Sequence, residues 1–464
     1  VEEGALTAGP EQPAADDLLQ LATSRPADAM ARARAILAAQ PRPYEASVAH
    51  QAAGIVLRDT GDVSAGVREL RVARRLARRI GSAGREADVL SSLGGALIHA
   101  GRTSAGLAAF GAATRLASGV LLGRVLHRRG AVLWLLGRYD IALEDLRRAI
   151  GILQGADDLV WTARALSARG LVYLNLGFPA RADADFIAAI ALYSATGQEL
   201  ASVHAVLNRG VVAFRSGDLP AALAVFEEAA ARYRQLEVPA PALSQIRCDV
   251  LLAAGLAGDA LAEADAAVGD IEKAHGSPTR KADLLLTAAS CALAAGQPQA
   301  ALDRAQAAYR LYRSQQVAWW QASARLVVVQ AQYALGPVTG RLLLAASRAC
   351  DQLEALGSGD VAQAHLLAGR VALQLGRREV AETHLAAAAR SRVRGPAMSR
   401  VTGWLAEALR ADAAGEERRL MTACRRGLDL LDEHRWTLGA SELRALASAQ
   451  GAELAALAQR RANA

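Results

Sequence analysis

Lysine is almost missing from this chain: Lys273 and Lys281 are the only two, although Lys and Arg together total 53. A GxxxxGK[ST] loop, which cradles phosphate with a lysine, is absent, so that route to nucleotide binding is excluded. Aromatics make up only 4% of residues. With strand-favouring aromatic and β-branched residues scarce and Ala and Leu abundant, the expected class is all-α. The four cysteines, Cys248, Cys291, Cys350 and Cys424, form no CxxC pair. Each falls in a helical pattern, where a free thiol behaves as a small core residue, and a reducing, cytoplasmic setting is expected. No apolar run is long enough to cross a bilayer; AVLWLLG (131–137) stops at Arg138, so no membrane partner is expected. The opening VEEGALTAGPEQP is acidic and lacks the apolar core of a secretory signal. There is no HExxH, and His365 and His384 fall on different expected helices, so no metal ligand set and no cofactor is expected. Cys248, Cys291 and Cys424 fit core positions, which leaves no nucleophile pair and an expectation of no enzymatic activity.

What is present begins with length. At 464 residues the chain exceeds one ordinary core, so several domains or a repeat array are expected. The net charge is +7 and the pI near 9.6. Arginine binds phosphate well, yet here it runs along the whole chain among 46 acids and reads as the mark of a GC-rich coding sequence. Nucleic acid is therefore not an expected partner.

Internal repetition is the main signal. The segments 91–113, 127–150, 168–190 and 208–230 share one frame. Its first small residue is Gly54, Gly94, Gly130, Gly170 or Gly210, and its turn glycine Gly61, Gly101, Gly137, Gly177 or Gly217. A second small residue follows at Gly66, Gly106, Ala142, Ala182 or Ala222, then a large knob at Leu70, Phe110, Leu146, Phe186 or Phe226. Gly255, Gly296, Gly376 and Gly415 continue the frame more loosely, and near Gly336 it blurs, because Arg341 and Arg348 stand where small residues belong. Residues 14–40 read as a further helix pair with Pro26 opening its second helix. A mid-helix glycine costs about 1 kcal/mol relative to alanine, so its recurrence in one column implies a steric need, a tiny residue facing a knob. Each pair then leaves an apolar face that the next pair covers.

These columns resemble the tetratricopeptide repeat (TPR) family over most of the chain. The resemblance implies a right-handed α-solenoid of TPR-like antiparallel helix pairs over 14–433, after a disordered tail at 1–13. First-column spacings of 40, 36, 40 and 40 exceed the common 34 and look like the longer-helix variant of bacterial regulators and kinesin light chains. The segment 434–462 is similar to the linker between the TPR array and the caspase-like CHAT domain of actinobacterial proteins, so 434–464 reads as a helical cap or a linker to a domain not included in the chain. That resemblance implies a non-catalytic scaffold that senses or recruits substrate for a CHAT-type protease. The alternative is the ligand- or peptide-sensing region of a transcriptional or signalling regulator.

In the family, partners lie on a concave groove lined by first-helix residues. Projecting that face gives Arg124, His127, Arg128, Trp134, Arg164, Asn175, His204, Asn208, Phe214 and Arg215, with Ser91 beside them. Such a wall suits protein or peptide, above all an acidic or C-terminal peptide; the competing reading is a solvated groove in which Trp134 and Phe214 only pack. The chaperone-type carboxylate clamp is matched only in part, by Asn208 with Arg128 or Arg164. The basic run 68–81 reads as the solvated face of a core-packing helix, and Trp319 and Trp320 as an exposed patch or a packing irregularity. Oligomeric state is not encoded in these patterns.

Overall fold

The computed structural model describes residues 17–22, 25–60, 62–236, 240–253, 255–273, 278–393, 397–437 and 444–462. The 1–13 tail, the Gly61 turn and the 438–443 part of the expected linker lie outside the described residues. Among the described residues there is no strand, and the fold is all-α. A helical stretch at 17–22 and Pro26–Ala38 open the chain. Helix pairs follow in order: Pro43–Thr60 with Val63–Ile80, Ala83–His99 with Thr103–Leu116, Gly119–Leu135 with Tyr139–Gln154 and Leu159–Asn175 with Pro179–Ala195. Next come Glu199–Arg215 with Leu219–Gln235, Pro241–Ala253 with Ala257–Lys273 and Pro278–Ala294 with Pro298–Ser314. The last are Ala318–Leu335 with Gly340–Leu356, Val361–Gln374 with Arg378–Ala389 and Ala397–Ala414 with Glu417–Thr437, and then the helix Arg444–Ala462.

Local chemistry starts and stops these helices. Asp62, Ser82, Asp158 and Asp218 each accept a hydrogen bond from the backbone N–H three residues on, relieving the unpaired donors of a helix start. At the turns, Gly137 and Gly177 take φ of 69° and 80°, which a side chain would strain.

The chain forms two compact units, Val1–Arg129 with Arg313–Ala318, and Gly130–Tyr312 with Trp319–Ala464. In the first, Leu18, Ala29, Ala33, Val48 and Ala52 share one buried cluster, and Val67, Leu70, Leu90, Leu93 and Ala113 another. The helix Pro43–Thr60 touches both its own partner and the next first helix, Ala83–His99. In the second unit the same layering recurs: Leu159–Asn175, Glu199–Arg215 and Pro241–Ala253 each touch the next first helix, and Val361–Gln374 touches Ala397–Ala414. At its end Leu454 and Leu457 of Arg444–Ala462 are buried with Leu430 and Leu431.

The glycine column does what its recurrence requires. A Cβ on Gly94 would lie 2.7 Å from the Phe110 ring, on Gly130 2.7 Å from Leu146 Cγ, and on Gly170 2.7 Å from the Phe186 ring. Gly54 and Gly369 face Leu70 and Leu385 in the same way. In each case the knob follows the glycine by sixteen positions. The looser copies exchange volume across that interval: Cys248 and Ala264, Ala289 and Ala305, Ala408 and Cys424 are all buried, the first residue larger than the column glycine and the second smaller than the Leu or Phe knob. The blurred copy is an insertion. Gly336–Pro337 is cis, Gly340–Leu356 starts late under a Thr339 cap, and Ala346, Cys350 and Leu353 are buried while Arg341 and Arg348 are exposed. The frame resumes five residues late, with the second small residue at Ala346, ten after the turn glycine, where Ala142 follows Gly137 by five. Trp319 is buried and Trp320 stacks on Tyr312 at 6.5 Å, so the Trp pair is packing.

Candidate binding face

First helices present their polar residues at fixed offsets from the glycine column, and hydrogen bonds joining residues 37 to 42 apart link one first helix to the next. In the first unit this linkage is dense. Asp88 Oδ1 accepts from Arg128 Nη1 at 2.5 Å, and Asp88 Oδ2 accepts from Arg85 Nη1 and Gln51 Nε2, both at 3.0 Å. Arg128 also donates to Ser91 Oγ at 2.6 Å, Gln51 to Ser92 Oγ at 2.9 Å, and Arg85 to the Ser47 carbonyl at 2.9 Å. Burial pushes the Asp88 carboxyl up, but the charges of Arg128 and Arg85 and their hydrogen bonds outweigh it and hold the pKa at about 2. Arg128 is thus tied into a buried ion network, and Ser91 is buried with it. Arg124 and His127 are half-buried on the same helix.

In the second unit the face is built from other contacts. Arg164 is half-buried with its guanidinium 4.7 Å over the Trp161 ring. Arg215 Nη1 donates to the Leu174 carbonyl at 3.0 Å, and Asn175 to its own helix at Leu171. Asn208 is half-buried, and His204 is exposed with its ring 5.9 Å from that of Tyr233. Desolvation and the charge of Arg280 lower the His204 pKa, so the ring is neutral at pH 7. Asp249 reaches solvent yet is crowded by protein, and burial raises its pKa to about 6 against the pull of Arg215. Arg280 is exposed, and the nearby Asp283 accepts from the Tyr312 hydroxyl at 2.5 Å.

One expected residue leaves the face. Phe214 is 8% exposed and belongs to the cluster of Val203, Leu207 and Phe226, so it packs the core. Trp134 is half-buried, and its covered indole N–H has no acceptor among the described residues. The basic run 68–81 exposes Arg68, Arg71, Arg75, Arg78 and Arg79 while Leu70, Ala73 and Ala77 are buried, as its pattern requires. Sequence reasoning missed Asp88, Asp249 and Arg280. Asp88 stands six positions before its column glycine, as Arg124, Arg164 and His204 do, so the column itself carried a signal.

Comparison with known proteins gives one family match: residues 123–152 fit the tetratricopeptide repeat. No curated protein matches the chain. Among solved structures, the chain is similar to a Rap protein complexed with competence and sporulation factor, at 11% identity, covering 85% of this chain and 99% of that one, with a TM-score of 0.47. It is also similar to a tetratricopeptide repeat protein from Parabacteroides merdae, at 18% identity, 61% and 98% coverage and a TM-score of 0.40. Yeast Tom70 is similar at 13% identity, with 88% and 97% coverage and a TM-score of 0.42. No helix among the described residues is long and apolar enough to cross a membrane. The tetratricopeptide match covers residues 123–152, and the helix pairs around it repeat the same glycine and knob columns.

Proposed function

We propose that the chain is a non-catalytic scaffold that binds a protein or peptide on the first-helix face of its second unit. The observation that supports this reading is the chemistry of that face: Arg164, Arg215 and Arg280 on three first helices, with Asn208 and a neutral His204 among them. Arginine over an aromatic ring offers both area and directional donors, the combination found at binding hot spots. A carboxylate-bearing peptide suits such a face, and Asp249 adds a place for a cationic or donor group.

The test is selection of displayed peptides on the purified chain, followed by affinity measurement. Acidic peptides should be enriched, and Arg164→Glu with Arg280→Glu should weaken their binding at least tenfold with thermal unfolding unchanged. Equal binding by the charge-reversed chain would move the site elsewhere.

The biological setting we favour is the sensing or substrate-recruiting region of a CHAT-type protease system, on the resemblance of segment 434–462. Four buried, unpaired cysteines accord with a reducing, cytoplasmic compartment. Capture of a caspase-like His/Cys protease or its substrate from source-cell lysate would support that setting. Capture of a DNA-binding regulator instead would favour the signalling alternative.

A further inference from the structure

Cys350, His365 and His384 are spread over three helices of the second unit, Gly340–Leu356, Val361–Gln374 and Arg378–Ala389. Their thiol sulfur and ring nitrogens come within 4.8 Å of one another. The five-residue insertion after Gly336 places a short Cys350 where the glycine-type pairs carry Leu or Phe. Cys350 is fully buried, His365 is 7% exposed, and His384 is half-buried.

With both rings neutral, the hydrogen bonds assign the ring nitrogens. His365 Nε2 lies 2.9 Å from Glu354 Oε1, so that nitrogen carries the proton and donates to the carboxylate. His365 Nδ1 is then a bare lone pair, 2.9 Å from His384 Nδ1, which donates to it. His384 Nε2 in turn accepts from Ser347 Oγ at 3.1 Å. Ser347 sits in mid-helix, where backbone N–H groups serve the helix ladder and make no oxyanion site, which argues against a hydrolytic use of the chain. The same partners serve an ion. Glu354 holds the His365 Nδ1 lone pair inward, as carboxylates do for metal-bound histidines. His384 needs only to change tautomer, its Nε2–H then donating to a hydroxyl that accepts as readily as it donates.

We propose that Cys350, His365 and His384 form a transition-metal site of the Zn²⁺ class, with Glu354 and Ser347 as positioning residues and a solvent-side position left for water. Imidazole and thiolate together suit a borderline-soft ion rather than Mg²⁺ or Ca²⁺. The ion takes the Cys350 sulfur as thiolate and two neutral ring nitrogens, so one proton leaves per ion bound. Asp351 and Glu354, the carboxylates that act on Cys350, favour a dication there. Tetrahedral ligands at about 2.0–2.3 Å from the ion sit roughly 3.3–3.7 Å apart, so the two rings part by about half an ångström on binding.

Titrating the purified, chelator-treated full chain with Co²⁺ tests this. The expected result is one equivalent bound with a thiolate-to-cobalt charge-transfer band, displaced by one equivalent of Zn²⁺. Zn²⁺ affinity should rise about tenfold per pH unit near neutrality, the signature of one released proton. Cys350→Ala should remove the band and weaken Zn²⁺ at least 100-fold with helicity retained, and Glu354→Gln should weaken it about tenfold. Should Cys350→Ala fail to fold, His384→Gln gives the same loss of tetrahedral cobalt spectrum. Absence of the band in the native chain, or its persistence in the folded Cys350→Ala or His384→Gln variants, overturns the proposal.

Discussion

The first helices of the two units spend their polar residues differently. In the first unit, Asp88 draws Arg85, Arg128 and Gln51 into one buried network that ties three consecutive first helices together. In the second, the column that holds Asp88 in the first unit carries Arg164 and His204, which rest against Trp161 and Tyr233. One set of residues cements helices, and the other rests on aromatic rings. The same offset from a repeat glycine is therefore a place in the fold and not a role. Role is decided by what surrounds the side chain, paired charges at Asp88 or an aromatic ring at Arg164.

The most severe way to break this contrast is charge reversal in the cemented network. Arg128→Glu would set a second carboxylate against Asp88 and strip a buried charge of one of its two arginine partners, a loss of about 3 kcal/mol. Arg164→Glu should cost less, about 1 kcal/mol, since its guanidinium is only half-buried and lies over the Trp161 ring. Urea unfolding of the two variants measures the difference; equal costs would mean that the first-unit network is no more committed to structure than the second-unit face. Acid should act in the same direction. Because Asp88 is held at about 2, its contribution is complete above the ordinary carboxylate range and is lost as pH falls from about 4 to 2.

A second contrast lies in the core, between glycine-and-knob pairs and pairs of two small residues. Gly170→Ala puts a methyl 2.7 Å from the Phe186 ring and should cost about 1–3 kcal/mol of overpacking, despite the gain in helix propensity of about 1 kcal/mol. Ala289→Gly, in a pair already matched to Ala305, should lose only about 1 kcal/mol, mainly as propensity. Combining Gly170→Ala with Phe186→Ala should be less damaging than the sum of the two changes, a coupling of about 0.5–3 kcal/mol. Strict additivity in that double-mutant cycle would show that the two columns do not share one space.

This core was legible because its signal is local and periodic. Gly94, Gly130 and Gly170 stand out against a helical background that disfavours glycine, and their knobs follow at a constant interval. The blurred copy at 336 was misread only in phase, since a longer loop shifts every later column together. The polar face was legible in position but not in use. Nothing in the spacing of Arg128 says that Asp88, forty residues earlier, has closed around it. The meeting of His365 and His384 was hidden for the same reason: ligands gathered from three helices leave no motif, and only the stacking of those helices brings the rings together.

The smallest expected effect concerns Asp249 and sharpens the comparison with Asp88, for the two carboxyls are displaced in opposite directions. Asp88 is stabilised as an anion by paired arginines, whereas Asp249 is crowded by protein with Arg215 as its partial relief and titrates at about 6. An acid whose folded pKa is raised favours the folded state while protonated, so that advantage is present below the ordinary carboxylate range and is lost as pH rises through about 6. Replacing Asp249 by Asn should therefore raise the melting temperature at pH 8 relative to the native chain and leave it nearly unchanged at pH 4. Its carboxyl reaches solvent, so the gain is modest. A lowered melting temperature at pH 8 would mean instead that Arg215 needs the Asp249 anion, and that the second unit's face is built around an ion pair after the manner of the first.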